Sequence, residues 1–318
     1  MTGRSGASRP YTADAVAVVQ SKTRRRLRML AAAMPVVIVG ALMFSPAAFA
    51  GWFLPQSDGS PNADGIRTLY ILIALIGLVI FVGVEGLLIY SMVKYRARKG
   101  RVAAQIHGNT QLEIGWTVGA AAILIFLTVF TFVLLDDIKN PAPSDIDANG
   151  NQVSAGTLYA STDQPAAPGA LKIRVVGQQY SWEFKYPDNG DKHVYAWNDM
   201  YVPIGRTVVL DIESVDVAHS WWIPQLGGKM DAIPGYLNKS WFQVPIDKLD
   251  DLDSSGQIIY EGQCAELCGR GHADMLARVI ALPFDKWKAW YDRKADELQQ
   301  AQDDAAQERE KINSEEGQ

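Results

Sequence analysis

Two long apolar runs and one alternating stretch divide this chain. Residues 66–93 are almost continuously apolar, and a second such run covers about 112–135, ending at Asp136-Asp137. Either is long enough to cross a bilayer, which takes ~20 residues. Between them, 94–101 carries five positive charges. The positive-inside rule places that loop in the cytoplasm. A helical hairpin over 66–137 follows, with both ends and everything after Asp137 on the outer side. From 171 the pattern changes to alternation and β-branched or aromatic runs. Strands are expected over 171–186, 192–202, 207–212, 240–244, 257–260 and 275–282. Turn signals such as Pro187-Asp188-Asn189-Gly190 and Pro203-Ile204-Gly205 separate them. About 110 residues of short strands point to a Greek-key β-sandwich or barrel over 171–284. A charged helix is expected over 285–311, solvated rather than functional, within a 285–318 tail.

The flanking segments carry weaker patterns. Residues 1–21 show no periodicity. Lys22-Thr23-Arg24-Arg25-Arg26-Leu27-Arg28 then precedes an apolar stretch, and Ala48-Phe49-Ala50 closes it with small residues. Basic, apolar and small-residue parts in that order form a secretory leader over 1–50. Cleavage is expected after Ala50, in preference to an uncleaved anchor. Residues 51–65 read as an external loop, and 138–170, rich in Pro, Ala, Ser and Asp, as an extended linker or a loosely packed insertion. The net charge of −5 hides an asymmetry: residues 1–50 sum to +6 and 51–318 to −11. An acidic outer domain attracts basic protein partners and raises their encounter rate. No nucleic-acid partner is expected. A composition of 48% hydrophobic and 20% charged residues fits membrane spans joined to a water-exposed domain.

The chemistry concentrates in Gln263-Cys264-Ala265-Glu266-Leu267-Cys268-Gly269-Arg270-Gly271-His272-Ala273-Asp274-Met275, which holds both cysteines of the chain. Two thiolates, an imidazole and a thioether are soft or borderline donors, a set that suits copper. Two thiolates on one short loop can bridge two copper ions. A second histidine is then needed, and His219 in Val217-Ala218-His219-Ser220-Trp221-Trp222 is the candidate. Taken alone, the loop also allows a disulfide or a zinc site, although zinc rarely recruits methionine. Two acids fall in the hairpin. Glu85 lies deep in the first run, and an intramembrane carboxylate faces a partner helix or is protonated. Glu113 opens the second run, where a negative charge suits a helix N-terminus.

The string Cys-x-Glu-x-Cys-x3-His-x2-Met, with His219 and Lys229-Met230-Asp231-Ala232-Ile233-Pro234-Gly235, resembles the binuclear copper loop of cytochrome c oxidase subunit II. The resemblance covers about 66–285 and implies a cupredoxin-like fold for the β domain. It implies two coppers bridged by Cys264 and Cys268. His219 and Met275 would complete one, His272 and the backbone carbonyl of Glu266 the other. The Glu266 side chain would share a magnesium or manganese ion with the haem-bearing subunit I. Glu113, in a Glu-x2-Trp setting, would lie at the entrance of a proton path. Gly177-Gln178-Gln179-Tyr180-Ser181-Trp182 resembles the family's aromatic segment. Tyr180 stands where a tryptophan is usual for electron input, and Trp182 matches a second tryptophan. Asp188, Asp191 and Asp216 could supply negative charge for docking cytochrome c, although each alone reads as an ordinary surface acid. Tyr236 departs from an arginine that often follows Pro-Gly. Subunit I, subunit III and other oxidase subunits would be partners in a bacterial cell membrane, with the copper domain on the periplasmic side. His107 and His193 read as surface residues. No Cys-x-x-Cys-His occurs, so a fused haem domain is not expected. Quinol-oxidising relatives lose the copper ligands, whereas every side-chain ligand is present here. Four histidines in total are too few for the additional histidine-rich cluster of nitrous oxide reductase. The competing expectation is a membrane-anchored binding or copper-delivery module.

Overall fold

A computed structural model of the chain describes residues 54–316, apart from 98, 101, 103–104, 155, 159, 163–168 and 188–192. The leader expected over 1–50 lies outside the described residues, as do Asp188 and Asp191.

The two apolar runs form helices α1 (Pro61–Lys94) and α2 (Thr110–Lys139). At 1.5 Å per residue they are about 51 and 45 Å long, more than the ~30 Å hydrocarbon core of a bilayer. Both therefore reach past the apolar layer. Their large side chains point outward: Phe81, Leu87, Leu124 and Phe132 are all more than half exposed. Such a surface is untenable in water and suited to lipid. Helix α1 starts inside the segment read as the 51–65 loop. Pro61 fits a first helical turn, and the contacts that fix it come from elsewhere in the chain. The Ser60 hydroxyl accepts the Gln243 amide at 3.1 Å, and Asn62 Nδ2 donates to the Trp241 carbonyl at 2.8 Å. The Trp241 indole donates to the Ile138 carbonyl, 2.9 Å away near the end of α2. One tryptophan thus ties the outer ends of both helices to the β domain.

Among the described residues ten strands build that domain: β1 (Leu171–Gln178), β2 (Ser181–Lys185), β3 (Tyr195–Trp197), β4 (Asp199–Pro203), β5 (Thr207–Ser214), β6 (His219–Trp221), β7 (Met230–Ala232), β8 (Asn238–Gln243), β9 (Ile258–Gln263) and β10 (Leu276–Leu282). One sheet runs β3-β2-β1-β5-β8, another β4-β10-β9, and β6 pairs with β7. Alternate residues enter the core. Ile173 and Val175 of β1, Trp182 and Phe184 of β2, Leu210 and Ile212 of β5, and Val279 of β10 are all fully buried or nearly so.

Three features differ from the sequence reading. The 171–186 run is a hairpin, β1 against β2, turning at Gln179-Tyr180. The turn contains neither glycine nor asparagine, so nothing in the sequence marks it. The 192–202 run breaks at Asn198, whose φ of 60° is left-handed, a conformation asparagine tolerates. Its side chain accepts the Trp182 amide at 2.9 Å, and the break sends β3 and β4 into different sheets. The 138–170 segment is fastened where it is described. Ser144 is fully buried, its hydroxyl accepts the Thr207 amide at 2.9 Å, and Thr207 Oγ1 donates to the Ala142 carbonyl at 2.6 Å. This stretch is thereby pinned to the start of β5, a strand that is buried along nearly its whole length.

Helix α3 (Phe284–Glu316) is amphipathic only at its start. Trp287, Tyr291 and Ala295 are buried, and Trp290 stacks on Tyr201 at 4.3 Å. The first turns therefore belong to the core, while residues 301–314 are exposed as expected of a solvated helix.

Candidate metal centre

Strands β6, β9 and β10 bring the donors together. The 264–275 loop leaves β9 and returns as β10, and His219 begins β6. Backbone bonds lock the pieces: Gln263 N to Trp222 O at 3.1 Å, Ala265 N to Ser220 O at 2.9 Å, and Cys264 N to Met275 O at 2.9 Å. Each donor atom is thus held by a strand or by a loop pinned to one.

The Cys264 and Cys268 sulfurs are 3.9 Å apart. Both are free and buried, far from the ~2.05 Å of a disulfide. His219 Nδ1 is 3.9 Å from Cys264 Sγ, and the Glu266 carbonyl oxygen 3.3 Å from it. His272 Nδ1 is 3.5 Å and Met275 Sδ 3.8 Å from Cys268 Sγ. The other four residues expected as ligands therefore surround the pair of cysteine sulfurs. The closest metal-type cluster is His219, Cys264 and Cys268, with donor atoms within 4.8 Å of one another. Met275 is fully buried, and a buried thioether beside a thiolate is a donor for copper rather than for a hard cation. The residues fit the metal pair that the family carries.

Burial, and then the neighbouring Cys264, push the Cys268 thiol up to about 11. It holds its proton at neutral pH and must release it to bind metal. The sign follows: copper affinity rises with pH up to about 11 and falls in acid. The expected gain from Cys268 is about tenfold per pH unit, measured as copper dissociation constants of the full chain in detergent between pH 6 and 8. A pH-independent affinity would contradict it.

His219 is fully buried and closely walled. A Cβ on Gly177 would lie 3.0 Å from His219 Cδ2 and 3.1 Å from Trp182. On the imidazole's far side, Nε2 lies 2.8 Å from Asp216 Oδ1. Burial alone raises the Asp216 carboxyl, but hydrogen bonds from His219 and the Gln179 and Val217 amides outweigh it and bring it down to about 2. Sequence reading took Asp216 for a surface acid available to dock cytochrome c and missed this bond. The signal was there: an aspartate three residues before a candidate ligand histidine.

The two aromatic candidates part company. Tyr180 is 38% exposed, and its ring lies against Gly271, where any Cβ would come within 2.6 Å. Trp182 is 0% exposed. It packs edge-on against His219 at 5.9 Å and Trp221 at 5.4 Å. Trp182 thus forms the floor under His219 and offers no exposed face, whereas Tyr180 does. Glu266 is exposed, as are Tyr236, His107 and His193. Glu113 lies apart from this cluster. It closes a reciprocal cap on α2, accepting the Asn109 amide at 3.2 Å while Asn109 accepts that of Leu112 at 3.1 Å.

Comparison with known proteins was made against this geometry. A family model described as "Cytochrome C oxidase subunit II, periplasmic domain" matches residues 192–282. A second, "Cytochrome C oxidase subunit II, transmembrane domain", matches 48–134. Cytochrome c oxidase subunit 2 of Alkalihalophilus pseudofirmus is 33% identical over 243 residues, 74% of this chain. The chain spans only 59% of that relative's length. The subunit 2 of a Synechocystis species is 30% identical over 257 residues, 73% of each chain. Among solved structures, the periplasmic domain of subunit II of cytochrome oxidase from Bradyrhizobium japonicum is 28% identical, with a TM-score of 0.35, covering 40% of this chain and 95% of that one. With the transmembrane and outer domains both matched, and a relative aligned over nearly three quarters of its length, the chain belongs to the cytochrome c oxidase subunit II family.

Proposed function

We propose that this chain is the electron-input subunit of a cytochrome c oxidase. It takes electrons one at a time from cytochrome c and passes them to haem in subunit I, where oxygen is reduced to water and protons are translocated. The observation that carries the reading is the buried, unbonded Cys264–Cys268 pair with a histidine beside each sulfur and Met275 beneath. Cys264 and Cys268 would hold both ions of a copper pair, with His219 and Met275 completing one and His272 with the Glu266 carbonyl the other; the pair would supply a one-electron store. Strands and pinned loop ends fix these donors, so little rearrangement of the chain would accompany a change of charge. Tyr180, exposed and in contact with the loop, is the residue assigned to electron input.

Other roles follow from the same reading. The Glu266 side chain, turned to solvent, would contribute one oxygen to a magnesium or manganese ion shared with subunit I. Such an ion needs octahedral oxygen coordination, so the remaining ligands would come from subunit I and water. Glu113 would stand at the entrance of a proton path into subunit I. Lys94, Arg96 and Lys99 put the 94–101 loop in the cytoplasm, and the copper domain therefore in the periplasm of a bacterial cell.

The test is electron paramagnetic resonance of the full chain, purified in detergent and loaded with copper. Hyperfine structure from one unpaired electron spread equally over two coppers is expected. A spectrum of isolated single coppers, or no bound copper, would sink the reading and favour a copper-delivery or binding module.

A further inference from the structure

The Asp216 carboxylate receives three donors. His219 Nε2 lies 2.8 Å and the Val217 amide 2.6 Å from Oδ1, and the Gln179 amide lies 2.7 Å from Oδ2; the Ser214 hydroxyl, 3.2 Å from Oδ1, donates to the Val217 carbonyl at 2.5 Å. The three donors come from different places: β6, the turn after β5, and the β1–β2 turn. Gln179 extends the chain of contacts, its Nε2 donating to the Cys268 carbonyl at 2.6 Å. A continuous path thus runs from the His219 ring through Asp216 and Gln179 to the loop that carries both cysteines. Tyr180 is the next residue after Gln179, and its ring lies on Gly271 of the same loop.

We propose that Asp216 is the positioning residue of the metal centre, fixing His219 with its proton on Nε2 and holding the Gln179-Tyr180 turn against the cysteine loop. An imidazole has two nitrogens, and the hydrogen bond made by one decides which is free to bind metal. With the Nε2 proton given to Asp216, Nδ1 carries the lone pair, and Nδ1 is the atom beside Cys264 Sγ. An oxygen acceptor is needed at this place, and a carboxylate oxygen accepts without offering a proton of its own; the His219 ring is itself fully buried. The same carboxylate takes the Gln179 amide on its second oxygen, so loss of Asp216 frees the ligand and the aromatic turn together. This inference rests on the copper reading for its purpose, though not for the hydrogen bond itself.

The test uses the full chain in detergent with labelled histidines, of which there are four. In the copper-free wild type, ¹⁵N signals of His219 are expected to show the proton on Nε2, favoured roughly tenfold or more over Nδ1. In Asp216→Leu that preference collapses toward a mixture. With copper added as the probe, the Leu variant is expected to bind about ten- to a hundredfold more weakly. Asp216→Asn keeps an accepting oxygen and should recover most of the affinity, which separates positioning from misfolding. An Asp216→Leu chain with the wild-type tautomer and copper affinity overturns the inference and leaves the copper reading intact. A wild-type chain that binds no copper pair, with a tautomer that still depends on Asp216, defeats the copper reading and leaves Asp216's hold on His219 standing.

Discussion

Replacing Cys264 by serine is expected to abolish the two-copper spectrum and slow electron uptake from reduced cytochrome c by about a hundredfold or more, since loss of a ligand should cost at least the ~10–100-fold of losing a partner that only orients one. Cys264 is 3% exposed, and its sulfur lies within 3.9 Å of His219 Nδ1, the Glu266 carbonyl and Cys268 Sγ. A serine hydroxyl is smaller, harder and protonated, so it cannot bridge two soft ions. The backbone bonds from Cys264 N to Met275 O and from Ala265 N to Ser220 O involve no side chain. The loop should keep its course, and α1 and α2 should still insert. Stopped-flow oxidation of cytochrome c by the assembled oxidase, beside membrane extraction of the variant, measures both. Turnover at the wild-type rate would remove the bridging role.

How far the sequence reached depended on whether partners were close along the chain. Cys264, Glu266, Cys268, His272 and Met275 were legible because one short loop carries them all. The two apolar runs were legible because lipid selects for composition over their whole length. Strands β6 and β7 were not. Each has three residues, too few to show alternation, and they are strands only because they pair with each other. The fastening of 138–170 was equally hidden. It depends on Ser144 and Thr207, small polar residues whose burial comes from tertiary contact and not from any pattern. The start of α1 was misplaced for the same reason, since Ser60 and Asn62 answer to β8. Trp182 shows the limit most clearly. Its resemblance to a family tryptophan located the residue in the chain, but its depth follows from which way the β1–β2 hairpin turns.

That depth makes the second large prediction. Trp182→Ala is expected to destabilise the β domain by about 3–5 kcal/mol, the usual cost of deleting a buried aromatic, seen as a lower denaturant midpoint with an unchanged slope. The indole touches His219, Trp221 and the space over Gly177, so the cavity would open directly beneath a copper ligand. Copper affinity should fall with stability. Trp182→Phe retains an aromatic ring and should restore most of both. Tyr180→Ala should divide the effects the other way. Its ring is 38% exposed and rests on the loop surface, so its loss is expected to cost about 1 kcal/mol. Electron uptake from cytochrome c, however, should fall about tenfold, the equivalent of ~1.4 kcal/mol in the barrier. Neither residue alone separates packing from electron input, because each substitution perturbs the same site. The pair does, since Phe at 182 preserves volume while Ala at 180 removes an exposed ring. If Trp182→Phe slowed uptake as much as Tyr180→Ala at wild-type stability, the buried tryptophan would lie on the electron path, and the division between floor and surface drawn from exposure would be wrong.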